Sequence, residues 1–195
     1  MVIVAGMDAL TGLALEAQAG DRRALDELVG AAYGQVWRFC AGFVDEQSAE
    51  DLAQETFVRA VRGLSGFRAD ASALSWLLGI ARHACLDELR GRSRRRQRDA
   101  TLASRPGLAR SAGTDASQES TVADLYRRLE PERRAAFVLT QLLGLSYGET
   151  ARVCECATGT IRSRVARARA DLIALLGDGR SGSTTRRERG GAAPA

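Results

Sequence analysis

The segment LSYGETARVCECATGTIRSRVARARA, Leu145 to Ala170, reads as two short helices around a tight turn. Ser146 and Glu149 form an S-x-x-E capping box, which opens the first helix. Thr158 can cap the second, along which Ile161, Val165, Ala168, Leu172 and Leu175 recur at helical spacing as a thin apolar stripe. Arg162, Ser163, Arg164 and Arg167 project away from that stripe near the helix N-terminus. This is the build of a helix-turn-helix, whose second helix enters the major groove of duplex DNA by its N-terminal half. An arginine there can hold guanine O6 and N7 with two hydrogen bonds, worth about 1–3 kcal/mol of discrimination. The remaining arginines and the helix N-terminus can hold phosphates.

Upstream of this segment, Val122, Leu125, Tyr126 and Leu129 predict one helix. Pro131 suits the first position of the next, which carries Ala135, Phe137, Val138 and Leu142 and stops at Gly144. Together these helices predict a small unit over residues 121–177. A tail over 178–195 is basic, low in complexity and expected to be disordered. From 97 to 120 helical periodicity vanishes into an Ala/Ser/Gly-rich stretch that reads as a flexible linker.

Residues 8–96 form a second helical block. Leu10, Leu13, Ala14 and Ala17 give a first amphipathic face, ended by Gly20 in the left-handed position. Asp21 can cap a second helix with Leu25, Leu28, Val36, Phe39 and Phe43. Ser48 with Asp51 resembles a capping box for a third, with Leu52, Ala53, Thr56, Phe57 and Val61 as its apolar positions. Gly63 and Gly66 bracket a break, and Ser72 can cap a fourth helix that runs into an arginine knot, Arg90 to Arg98. The expected fold is all-α: two small helical domains joined by a flexible linker.

The formal charge is only +4, but all 28 basic residues are arginine. Each is a permanently charged planar fork suited to phosphate and guanine edges. The cations cluster at 90–98 and 162–169 and the acids at 45–55 and 115–132, so a near-neutral sum hides two basic faces and an acidic one.

These two blocks are similar to those of the bacterial sigma-70 family, in its small extracytoplasmic-function group. The likeness rests on AEDLAQETFVRAVRGLSGFRADASALSWLLGIARHACLDELR, Ala49 to Arg90, and LLGLSYGETARVCECATGTIRSRVARARADL, Leu142 to Leu172. The first resembles a sigma-2 helical bundle and the second a sigma-4 helix-turn-helix. The resemblance implies a transcription initiation factor whose partners are core RNA polymerase, at its β′ clamp helices and β flap, and promoter DNA. It also implies regulation by a separate anti-sigma protein. Asp51, Gln54, Glu55 and Arg59 would then dock on polymerase. The Gly66–Ser72 loop would hold a flipped −10 base, with Phe67, Arg68 and Asp70 on the loop and Trp76, Arg82, His83 and Asp87 on the adjoining helix. Thr158, Thr160, Arg162, Ser163, Arg164 and Arg167 would read the −35 duplex. His83 stands where relatives commonly carry Asn, and Ala157 replaces the usual turn proline.

An enzyme reading finds no support. His83 is the lone histidine, and the sequence holds no nucleophile–base pair, glycine-rich phosphate loop or acidic metal cluster. Cys154-x-Cys156 is too tight for a zinc knuckle, so both are expected to be ordinary thiols, with no metal and no cofactor. The sequence contains neither a signal peptide pattern nor an apolar run of membrane-spanning length, which predicts a cytoplasmic protein.

Overall fold

The computed structural model describes residues 8–103 and 122–181, all of whose regular elements are helical. The N-terminal unit contains α1 (Ala9–Gln18), α2 (Arg22–Ala41), α3 (Glu46–Gly63) and α4 (Ala73–Ala103), with a 3-10 turn at Leu64–Gly66. The C-terminal unit contains α5 (Val122–Arg127), α6 (Pro131–Phe137), α7 (Tyr147–Val153) and α8 (Thr158–Ser181).

Local chemistry sets most boundaries. Asp8 accepts from the Thr11 amide and hydroxyl, and the same hydroxyl accepts from the Ala73 amide at 2.9 Å. One threonine therefore ties the start of α1 to the start of α4. Gly20 stops α1 at φ +105°, and Asp21 caps α2 through the Arg23 and Ala24 amides. The sequence places the start of α3 near Ser48; Asp45 is the actual cap, accepting from the Ser48 amide at 3.0 Å. That amide, with the Ser48 hydroxyl and Arg92, holds the Asp45 carboxyl down to about 2. In the second unit Glu130 caps α6 behind Pro131, α6 widens into a π turn at Val138–Leu142, and Gly144 ends it at φ +74°.

Two boundary expectations and one core expectation need correction. Residues 97–103 continue α4 instead of opening a linker, and residues 178–181 belong to α8 instead of the tail. The remainder of both segments, 104–121 and 182–195, lies outside the described residues. Val61, expected in the core, is 48% exposed, because α3 turns Ala53, Phe57 and Ala60 inward.

The two helical units also pack against each other. Phe43 and Val44 share one buried cluster with Ala135, Val138 and Leu139. At the contact, a Cβ on Gly42 would lie 2.9 Å from a Val138 methyl, so the close approach depends on glycine. The buried Arg134 guanidinium lies 5.3 Å from the Phe43 ring centre and donates to the carbonyls of Phe43, Leu129 and Arg127. Burial, then the neighbouring Arg127 charge, draws its pKa down to about 10.

Asp45→Ala is expected to lower stability at neutral pH by about 1 kcal/mol in urea melts, with Asp45→Asn closer to wild type, because asparagine still caps. The Asp45 contribution is fully present above its unfolded pKa of 3.8 and fades as pH falls through about 2, so the difference between wild type and Asp45→Ala should shrink over that window.

Candidate nucleic-acid interface

The C-terminal helices form the expected helix-turn-helix. Both halves of the Ser146–Glu149 capping box are present. After α7 the Cys156 amide bonds back to the Ala151 carbonyl and Glu155 adopts φ +52°, a left-handed helix ending usually given to glycine. α8 then starts at Thr158 itself, so Ala157, not Thr158, takes the cap position. Ile161, Val165 and Ala168 are buried under α6 and α7, while Leu172 and Leu175 are only half-buried.

That packing decides what α8 shows. Thr158, Arg162, Ser163 and Arg167 are exposed and Thr160 is half-buried. Neither Arg162 nor Arg167 makes an ion pair among the described residues, so both guanidinium forks are free at the end of the helix a major groove receives. Arg164 turns the other way, to Glu132 at 3.0 Å and the Cys156 sulfur at 3.6 Å. Burial pushes the neighbouring Cys154 thiol up to about 11, which keeps it protonated at neutral pH.

In the N-terminal unit, the Gly66–Ser72 loop and α4 border a groove of about 400 Å³. Phe67 is buried and packs on Trp76, ring centres 5.0 Å apart, so the pair floors the groove with aromatic surface. Arg68 and Asp70 stand in solvent, 3.5 Å apart. Ala69, at φ +55°, holds the loop in a conformation that costs about 1–2 kcal/mol. The Gln18 amide bonds the Leu64 and Phe67 carbonyls, both at 2.8 Å, and so fixes the loop base from α1. His83 lines the groove, and Asp87, one turn on, is exposed and pairs with Arg90 at 3.0 Å. Arg152 and Glu155 of the second unit line the far wall, with Glu155 3.4 Å from His83.

Arg82 behaves differently from the other groove-side residues. It is buried, and its guanidinium meets both Glu132 oxygens, at 2.6 and 2.8 Å. Burial opposes its charge, but the hydrogen bond and negative charge of Glu132 outweigh it and hold its pKa above the usual arginine value. Glu132 thus joins Arg82 beneath the groove to Arg164 beside the α8 recognition face, one arginine from each candidate DNA-reading surface.

The α3 outer face carries the third set. Asp51, Gln54, Glu55 and Arg59 are exposed, and Arg59 bonds Glu55 at 2.8 Å. Val58 and Val61 are exposed beside them at 44% and 48%, giving the face an apolar strip. The sequence reading missed that strip, Gln18 and Glu132. Val58 could have been found from its helical spacing to Asp51, Gln54 and Glu55, whereas the other two act across the tertiary fold and leave no local signal.

A helical bundle with an aromatic-floored loop groove, packed on a helix-turn-helix with free arginines, defines a two-unit DNA-reading protein of the transcription machinery. Sigma-70 region 2 matches residues 28–95, and Sigma-70, region 4, matches residues 121–172. The chain is 47% identical over 173 residues to the ECF RNA polymerase sigma factor SigC of Mycobacterium tuberculosis, covering 86% of this chain and 91% of the relative. It is 37% identical over 172 residues to SigM of the same species, covering 87% and 85%. Among solved structures, CnrH in complex with the cytosolic domain of CnrY aligns with a TM-score of 0.63 at 30% identity, covering 88% of this chain and 99% of that one. The sigma factor RpoE bound to the anti-sigma factor NepR, from Bartonella quintana, aligns with a TM-score of 0.60 at 28% identity, covering 78% and 96%. The chain belongs to the sigma-70 family, in its extracytoplasmic-function group. It is an RNA polymerase sigma factor, which binds core polymerase and promoter DNA.

Glu132→Gln is expected to loosen the contact between the units, because it leaves the buried Arg82 charge facing a neutral partner. X-ray scattering of the full-length variant should show a larger radius of gyration than wild type, with unchanged helix content by circular dichroism.

Proposed function

We propose that the two units divide promoter recognition between them. Arg162, Ser163 and Arg167 enter the −35 major groove, with Thr158, Thr160 and, once freed from Glu132, Arg164 holding the flanking backbone. The Phe67–Trp76 groove takes an unstacked −10 base from the single strand, where Arg68, Asp70 and His83 offer polar edges to it. Asp87 stands further along the same helix, and Arg82 becomes available to nucleic acid only when Glu132 leaves it. The α3 face, through Asp51, Gln54, Glu55 and Arg59 around Val58 and Val61, docks on core polymerase. One observation carries this assignment: α8 buries one stripe and leaves Arg162 and Arg167 unpaired on the other, at the end of the helix that a groove admits.

In the folded arrangement Arg152 and Glu155 wall the base groove, and Glu132 holds two arginines that face DNA in this assignment. The free protein is therefore in a closed state, and promoter engagement on polymerase separates the units. The −10-reading unit in this assignment is α1 to α4 and the −35-reading unit is α5 to α8. The protein works as a non-catalytic factor in the bacterial cytoplasm. A separate protein partner, as CnrH is held by the cytosolic domain of CnrY and the Bartonella RpoE by the anti-sigma factor NepR, is a fitting regulator.

Run-off transcription with core polymerase tests the assignment. Arg162→Ala with Arg167→Ala should reduce starts at −35-dependent promoters at least about tenfold, as loss of two base-edge contacts implies, while capture of core polymerase stays unchanged. Val58→Asp with Glu55→Arg should do the reverse and weaken polymerase capture. Tight promoter binding by the wild-type protein without polymerase would contradict the closed state.

A further inference from the structure

The arginine knot at the end of α4 has no part in the assignment above, yet the helix places it with some selectivity. α4 is 31 residues long, roughly 46 Å at 1.5 Å per residue, and continues well past the bundle it starts in. Trp76, Ile80 and His83 line the base groove from one face of this helix. Steps of three or four residues carry that face on through Asp87 and Arg90 to Arg94 and Arg98, all exposed. The groove and these three arginines thus lie on one continuous stripe.

The arginines on other faces are treated differently. Arg92 is tied to Glu88 at 2.7 Å, to Asp45 at 3.2 Å and to the Ser48 hydroxyl at 2.7 Å. Arg95 is tied to Glu88 at 3.0 Å. Arg92, then Arg95, lowers the Glu88 pKa, with burial working against them, so this carboxylate is firmly engaged. On the groove stripe, Arg90 pairs among the described residues only with its own-helix neighbour Asp87. Arg94 and Arg98 meet no carboxylate among the described residues; the Arg98 Nε donates to the Arg94 carbonyl at 3.3 Å and leaves the rest of its fork free. Arg96 is also exposed, but it points off the stripe.

We propose that Arg90, Arg94 and Arg98 form a phosphate rail that receives the DNA backbone leading out of the −10 groove, in the promoter spacer. From Arg90 to Arg98 the helix rises about 12 Å, which matches three to four base-pair steps of about 3.4 Å along the duplex axis. The rail selects no base. It sets the direction in which the strand leaves the base groove and adds salt-dependent affinity. This rests on the promoter-reading assignment of the groove, and it adds a contact between the two recognised elements. DNA is favoured over an acidic protein surface because the stripe begins at the groove that holds the base.

Holoenzyme assembled from core polymerase and full-length protein, on a promoter fragment mapped by run-off, provides the test. The affinity of the promoter complex is measured across about 50–200 mM salt for wild type, R94A/R98A and R95A/R96A. The two variants remove the same charge from the same stretch of helix. R94A/R98A should flatten the logarithmic salt slope by about two, making the loss of affinity over that range about tenfold smaller than for wild type; R95A/R96A should keep the wild-type slope. Equal slopes for the two variants would overturn the rail. Weaker core polymerase binding by R94A/R98A in the absence of DNA would also overturn it, by showing that these arginines face protein. Failure of the wild-type holoenzyme to form any promoter complex would instead bring down the promoter-reading assignment, and the rail with it.

Discussion

The Glu132 carboxylate is shared by two arginines, Arg82 from the first unit and Arg164 from the second, and the closed arrangement depends on it. Arg82 rises from α4, which borders the loop groove; Arg164 comes from α8, the second helix of the helix-turn-helix. Partial burial matters to the strength of this node. The Arg82 side chain is 10% exposed and that of Glu132 27%, so salt screens the pair far less than the surface pairs at Arg68 or Arg90. A buried ion pair adds little net stability over a well-packed apolar contact, but removing one partner strands the other charge. Its value here lies in choosing one packing of the two units over others.

Under the proposed assignment, such an arrangement would keep the factor off DNA until polymerase is present. Phosphate and carboxylate are both anions, so replacing Glu132 by nucleic acid exchanges one partner for another without leaving a guanidinium bare. The difference between closed and open states can then stay within a few kcal/mol, which the differential binding of polymerase and promoter can overcome. Around the node, the Gly42–Val138 approach and the Arg134 guanidinium at the Phe43 carbonyl give the closed state a fitted apolar contact. That contact needs a side chain no larger than hydrogen at one position and a buried fork at the other.

The sequence made legible what depends on neighbours within one helical turn. The Ser146–Glu149 box, the Gly20 and Gly144 stops and the Ile161–Val165–Ala168 stripe all act at short range, and all are present as read. Where two local devices compete, the reading slipped by a turn: Asp45 and Ser48 both offer N-cap oxygens, and the aspartate won because the Ser48 amide and hydroxyl and Arg92 converge on it. The spacing of Val61 fits a core position, but α3 presents a different face to α2 and α4. The long-range partners could not be read at all. Glu132 and Arg134 lie two residues apart in α6 yet reach Arg82 and Phe43, 50 and 91 positions away. The candidate site residues rest largely on family likeness, and the structure adds that Arg82 reaches across to Glu132 of the other unit, a carboxylate that Arg164 shares from within its own unit.

The most direct measurement is the distance between the units in the free protein and in the promoter-bound holoenzyme, by energy transfer between labels at the exposed positions Gln47 on α3 and Ala170 on α8. The closed-state mechanism requires a short, narrow distance distribution in the free protein that lengthens when polymerase and promoter are bound, and a free Glu132→Gln variant already shifted towards the long distances. An identical distribution in the free and promoter-bound states would contradict it.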